Sequence, residues 1–159
     1  MTRTHTMTLP DGRTLEVFLG GDPAGLPLVM HHGTPSGSTM FADWHDACVA
    51  HGLRLICVSR PGYTTSTRLP GRDVASAARD TAAVLDHFGH TEFLTAGWSG
   101  GGPHALSCAA LLADRCRAAA TLAGVGPYGA AGLDFLAGMG PENVEEFGAA
   151  LEGEAALRT

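Results

Sequence analysis

The chain has 159 residues, 45% of them hydrophobic and 16% charged, which is enough to bury a core in one domain and excludes disordered and fibrous classes. Its net charge of −6 comes from scattered acids without a basic patch, which argues against nucleic acid as a partner. No apolar run reaches the length of a membrane span, residues 1–5 lead into no signal-peptide core, and Cys48, Cys57, Cys108 and Cys116 show neither a C-x-x-C pair nor zinc-finger spacing; the expectation is a cytoplasmic protein with free, inert cysteines.

Residues 4–9 and 13–19 alternate as strands, and Pro10-Asp11-Gly12 between them makes the opening an antiparallel hairpin. Residues 20–25 read as a glycine-rich loop. The apolar run 26–31 fits a strand buried on both faces. A helix is expected over 39–50, with Met40, Phe41, Trp44, Ala47 and Cys48 on its apolar side, and a second buried strand over 53–58. Asp73 is a plausible N-cap for a helix through Phe88, which Gly89 ends. Residues 92–96 form a further short strand, 103–113 a helix, and 117–125 a last strand weakened by Ala118-Ala119-Ala120. Beyond Gly129, residues 133–139 and 144–157 read as amphipathic helices separated by Gly140-Pro141. A hairpin followed by alternating strands and helices predicts an α/β sheet, mostly parallel, with helices on both faces. Reactive groups then gather in the loops at the carboxyl ends of the strands, here 31–37, 59–66 and 98–102.

The third of these loops holds G-x-S-x-G, with Ser99 at its centre. At a strand-to-helix junction this pattern makes a nucleophile elbow, in which a sharp turn lifts the serine hydroxyl clear of the sheet. Gly97 and Gly101 would be required because strand and helix approach too closely there for a Cβ. The bland alternative is a glycine-rich turn whose serine caps the next helix. An acyl-transfer site also needs donors for an oxyanion. Thr34, just after a strand, offers a backbone N–H, whereas Pro35 has none. The amide of Gly100, at a helix start, offers a second. His31-His32 could suggest a metal, but adjacent strand histidines face opposite ways and no carboxylate or cysteine cluster stands near them in sequence, so no metal is expected.

His32-Gly33-Thr34-Pro35, Ser59-Arg60-Pro61-Gly62-Tyr63-Thr64-Thr65-Ser66 and Gly97-Trp98-Ser99-Gly100-Gly101 stand in an order and spacing that resembles the α/β-hydrolase fold superfamily. Within it, the chain is similar to the serine-nucleophile branch of prolyl-aminopeptidases and small esterases. The resemblance spans about residues 6–125 and implies Ser99 as nucleophile, the amides of Thr34 and Gly100 as oxyanion hole, and His32, Gly33 and Trp98 as pocket candidates. Arg60 to Tyr63 would form a structural turn behind the site. Residues 1–128 would be the amino-terminal part of the core, with about six strands, and 129–159 the beginning of a helical cap. A serine at the elbow argues against the aspartate-dependent dehalogenase and epoxide hydrolase branches.

The departure from that family is in the rest of the triad. The resemblance implies the order serine, acid, histidine, yet no histidine follows His104. His104 itself falls in the helix after the elbow, where a structural role is expected, and Asp134 falls in an expected cap helix. His45, His51, His87 and His90 sit on predicted helices or their ends. The expectation is therefore an amino-terminal half whose Asp and His come from a complementing carboxy-terminal segment or second chain. A truncated, non-catalytic binding module is the alternative, and a homo-oligomer covering its own sheet edges a third arrangement. The substrate expected is a small ester, amide or peptide-like molecule, without a cofactor. Phe135, Leu136 and Met139 would either roof its pocket or pack the cap.

Overall fold

The computed structural model describes residues 2–158; Met1 and Thr159 lie outside the described residues. The chain divides into two compact units, Met1–Val125 and Gly126–Thr159. In the first, β1 (Arg3–Thr8) and β2 (Thr14–Gly21) form the hairpin, followed by β3 (Leu26–His31), a 3-10 segment (Ser38–Trp44), α1 (His45–Ala50) and β4 (Leu53–Val58). Then come α2 (Ser76–His87), β5 (Phe93–Trp98), a short 3-10 turn (Ser99–Gly101), α3 (Gly102–Leu111) and β6 (Cys116–Leu122). The sheet order is β1-β2-β4-β3-β5-β6. β2 is antiparallel to β1 and to β4, while β3 runs parallel to β4 and β5, and β5 parallel to β6. This is the mostly parallel sheet with an antiparallel opening that the pattern of elements predicts.

Two hydrophobic clusters lie on opposite faces of the sheet. Leu15, Val17, Leu19, Val29, Ile56, Val58 and Phe93 pack with Ala78, Val84 and Leu85 of α2 and Cys108 of α3. Phe18, Met30, Leu55, Cys57 and Ala96 pack with Phe41 and Cys48 of the other layer. Within β4, Leu55 and Cys57 serve one cluster, Ile56 and Val58 the other. Burial on both faces is why this strand reads as one continuous apolar run rather than an alternation. Each such side chain, fully removed from water, contributes roughly 1.5–3 kcal/mol.

Four expectations need correction. Gly20 and Gly21 belong to β2 rather than to a loop, paired with Leu55 and Arg54. Gly21 has φ +68°, and a Cβ there would overlap the Leu53 carbonyl, so the strand ends on a contact only glycine tolerates. The expected helix over 39–50 is a 3-10 segment joined to a six-residue α1, because Phe41 (φ −105°, ψ 24°) leaves helical geometry to bury its ring. The strand over 117–125 stops at Leu122, and Ala123 takes φ +48°.

The fourth correction lies in the second unit, where residues 133–139 form turns instead of a helix. The Asp134 carboxylate accepts the Leu136 N–H at 3.3 Å and Gly138 takes φ +78°, a local alternative that a seven-residue stretch cannot outcompete. The helix expected over 144–157 begins earlier, as α4 (Pro141–Glu152), and Gly153 (φ +112°) separates it from α5 (Glu154–Leu157). Phe135 stands edge-on to Tyr128 and Phe147, with ring centroids 5.3 and 5.1 Å away.

Side-chain hydrogen bonds fix the layers of the first unit. Asp73 and Ser76 bond reciprocally ahead of α2: the Ser76 N–H donates to Asp73 Oδ1 at 2.8 Å and the Asp73 N–H to Ser76 Oγ at 3.2 Å. Arg13 of the hairpin donates from both terminal nitrogens to the buried Asp80 carboxylate of α2, at 2.6 and 3.2 Å. Asp80 raises the Arg13 pKa above its ordinary value, with Asp11 adding to the effect. No helix among the described residues is long and apolar enough to cross a membrane.

Candidate active site

β5 ends at Trp98 and Ser99 turns the chain, with φ +51°, into the 3-10 turn that opens α3. A non-glycine residue in this region is uncommon and strained, and such residues cluster at functional sites. The flanking glycines make the turn possible. A Cβ on Gly97 would overlap the carbonyl of Gly101, and one on Gly101 would overlap the carbonyl of His31. The junction therefore brings β5, α3 and the end of β3 together at one point.

The loop leaving β3 lies directly against this turn. A Cβ built on Gly33 would sit 3.5 Å from Ser99 Cβ and 3.2 Å from the Trp98 ring, and one built on Gly100 would sit 2.9 Å from Thr34 Oγ1 and 3.8 Å from the Thr34 nitrogen. So the loops 31–37 and 98–102 approach each other, with Gly33 and Thr34 beside Trp98, Ser99 and Gly100. Among the described residues, neither the Thr34 nor the Gly100 amide donates a backbone hydrogen bond elsewhere, and Ser99 Oγ has no hydrogen-bond partner. Two amides and one hydroxyl are thus available to a ligand.

The turn 60–63 proves to be more than backing. Arg60 is only 4% exposed, and its guanidinium donates to the His32 carbonyl, the Gly33 carbonyl (3.0 Å) and Thr34 Oγ1 (3.2 Å) while stacking 5.0 Å from the Tyr63 ring centroid. One rigid cation clamps three consecutive residues of the β3 loop. Burial lowers the Arg60 pKa from the usual arginine value, partly offset by Tyr63. At Tyr63, burial pushes the phenol up, but the Thr34 hydroxyl (3.4 Å) and the Arg60 cation outweigh it and leave the pKa lowered.

Glu16 does a similar task from β2. Its carboxylate accepts the hydroxyls of Ser38 (2.7 Å), Ser59 (3.0 Å) and Thr65 (2.9 Å), tying together the loops that follow β3 and β4. Burial raises its pKa, and these hydrogen bonds outweigh that and leave it lowered. Sequence reasoning missed Glu16 and the clamping role of Arg60. The available signal was an acid in an otherwise apolar strand together with the hydroxyl-rich run Thr64-Thr65-Ser66.

The histidines near the site have both ring nitrogens engaged or lie in dry surroundings. His32 Nδ1–H donates to the Gly33 carbonyl at 2.7 Å, so its Nε2 is the acceptor for the Arg60 N–H at 3.2 Å. Desolvation, then the Arg60 cation, lowers its pKa to about 4. His104 Nδ1–H donates to the Gly100 carbonyl at 2.9 Å, bracing the elbow from inside α3, and desolvation lowers its pKa to about 4. His31 stacks on His104 with centroids 6.4 Å apart, and desolvation lowers it to about 3. At neutral pH all three are uncharged, and none hydrogen-bonds Ser99. His45, on α1, accepts the Gly21 N–H through Nδ1 at 2.8 Å. Asp134 belongs to the second unit, in a turn.

A family model described as alpha/beta hydrolase fold matches residues 27–150. The chain belongs to the α/β-hydrolase fold family. Among curated relatives, it is 31% identical over 114 residues to the uncharacterized hydrolase YcgS of Bacillus subtilis (strain 168), covering 71% of this chain and 38% of that one. It is 34% identical over 100 residues to a non-heme haloperoxidase of Rhodococcus erythropolis, covering 60% and 35% respectively. Among solved structures, a protein named as an aryl esterase from Burkholderia cenocepacia superposes with a TM-score of 0.66 at 28% identity, over 77% of this chain and 47% of that chain. An epoxide hydrolase mutant from Vigna radiata superposes with a TM-score of 0.64 at 18% identity, over 76% and 38%, which shows the shared fold alone. The chain spans little more than a third of the length of these two curated relatives. Of these four, two are named as hydrolases, one as an esterase and one as a haloperoxidase.

Proposed function

We propose that these residues carry the nucleophile and the oxyanion hole of a serine hydrolase acting on a small ester, amide or peptide-like substrate. The observation that carries it is Ser99 at φ +51° on the strand-to-helix turn, with the available amides of Thr34 and Gly100 converging on it. Ser99 Oγ would attack the carbonyl carbon, its proton passing to a general base, while the carbonyl oxygen takes up the electron pair and the charge between the two amides. Collapse would expel the alcohol or amine, which receives that proton, and leave an acyl-serine. Water, deprotonated by the same base, would then release the acid and restore Ser99.

In this reading the base lies outside His31, His32 and His104, none of which hydrogen-bonds Ser99 Oγ. The Asp and His would come from a complementing segment, supplied by a continuation of the chain or by a second polypeptide. Residues 126–159 would be the start of the cap. In the absence of the base, an oxyanion hole and substrate binding retain only about a thousandfold of acceleration over water.

The alternative, a binding module without catalysis, is favoured by one feature: β6 is an edge strand whose residues 117–122 are all exposed, a surface ready to pair with another strand. With the complementing segment present, hydrolysis of an activated ester compared with that of the Ser99→Ala variant separates the two; without it, the unsubstituted chain should already be nearly inactive and the substitution should change little. In the presence of the segment, abolished turnover with an unchanged circular-dichroism spectrum is expected. Turnover that survives the substitution would overturn the nucleophile assignment.

A further inference from the structure

Both tryptophans of the chain, Trp44 and Trp98, line one groove together with Met40, Phe41 and Leu122. Single exposed apolar side chains need no explanation, but here Trp44, Trp98 and Leu122, 39%, 41% and 42% exposed, share one concavity. Its walls come from two directions. Phe41 and Trp44 meet edge to face, 5.0 Å between centroids, at the exit of β3. Trp98 and Leu122 are register partners at the ends of β5 and β6. The groove abuts the reactive centre, because the point 3.2 Å from the Trp98 ring lies 3.5 Å from Ser99 Cβ. No charged side chain lines it. The neighbouring depression around Tyr63 is of the opposite character, with Arg68 and Arg72 on its walls.

We propose that this groove receives an uncharged apolar substituent of the substrate carbonyl, a short alkyl chain or a single ring; the site rests on Ser99 being the nucleophile. Two facts fix the ligand class. The volume, about 270 Å³, lies just under the roughly 300–1,000 Å³ of pockets for drug-sized ligands, so it fits one fragment of a small ester. Apart from the indole N–H groups of Trp44 and Trp98, the lining side chains offer no partner to a charge or a hydroxyl, and a polar group buried there away from those two donors loses its hydration without compensation. Substrates with an apolar arm are therefore selected over those with a polar or charged arm of equal length.

Because both tryptophans line the groove, fluorescence excited selectively at tryptophan, without the contribution of Tyr63 and Tyr128, reports on it. Titration with 1-hexanol should give a saturable spectral shift. Titration with 1,6-hexanediol, of the same length but carrying a hydroxyl at its far end, should need about tenfold higher concentration or more. Leu122→Asp should remove the response to 1-hexanol while leaving the circular-dichroism spectrum unchanged; Met40→Gln serves if that variant does not fold. A linear, non-saturating change, equal responses to the two alcohols, or an undiminished response in the folded variant would overturn the proposal. Ser99→Ala should keep the 1-hexanol response. If 1-hexanol saturates but a fluorophosphonate never labels Ser99, the nucleophile falls and the groove stands. If Ser99 labels and 1-hexanol does not saturate, the groove falls and the nucleophile stands.

Discussion

Arg60 holds the β3 loop through two backbone carbonyls and the Thr34 hydroxyl, so the position of Thr34, the proposed oxyanion donor, depends on this side chain. Hydrogen bonds to a charged group are each worth roughly 1.5–3 kcal/mol. Arg60→Ala should therefore lower stability by about 3 kcal/mol in urea denaturation, and Arg60→Lys should recover less than half of it, because an ammonium cannot fork across several acceptors. The buried histidines set the acid side of the stability profile. With folded-state values of about 3 for His31 and about 4 for His32 and His104, against 6.5 for an unperturbed histidine, the unfolded chain binds more protons between about pH 6.5 and 4. Stability is then fully present above pH 6.5 and falls on acidification through that window, at up to about 1.4 kcal/mol per pH unit for each proton. Urea denaturation across this range should show the slope, and His104→Asn should reduce it by about one proton. A flat profile would mean that these rings are hydrated. Ser99 and its glycines were legible because a steric requirement leaves a short local motif. The clamp of Arg60 and the Glu16 hub were not, since their partners lie more than twenty residues away.

At the scale of elements, the hairpin and α2 are joined by Arg13 and Asp80, buried enough that neither charge is well served by water. Removal of one partner from a fully buried pair costs roughly 3–5 kcal/mol. Arg13 keeps 14% side-chain exposure, so Arg13→Ala should cost less, about 2 kcal/mol, seen as a lower melting temperature. An unchanged melting temperature would mean that water satisfies Asp80. The strands β3, β4 and β5 were legible because their apolar runs are short and bounded by turn residues. The expected helices fared less evenly. Periodicity alone placed a helix over 133–139, where Asp134 and Gly138 offered the backbone better local partners. Over 38–50 the apolar spacing was real, yet burial of Phe41 tightened half of it into 3-10 geometry. The groove was half legible: Met40, Phe41 and Trp44 were recognised as an apolar face, but the partnership with Trp98 and Leu122 depends on the sheet order, which local pattern does not encode.

At the scale of the whole molecule, the first unit presents the strained Ser99 turn, the proposed nucleophile, at one end of the sheet and an exposed edge at β6. These are the two places where a complementing segment would act, one supplying a base and the other a neighbouring strand. Within the given residues, the last histidine is His104. The bonds from the Nδ1–H groups of His32 and His104 to the Gly33 and Gly100 carbonyls were not legible in the sequence, because they depend on the folded backbone. The most direct test is the denaturing intact mass of the 159-residue chain after exposure to a fluorophosphonate, with and without neutral imidazole as an added base. The account predicts a single adduct that maps to Ser99, forms slowly alone, accelerates with imidazole and is absent from Ser99→Ala. An adduct on another residue, or one that persists in Ser99→Ala, would contradict it.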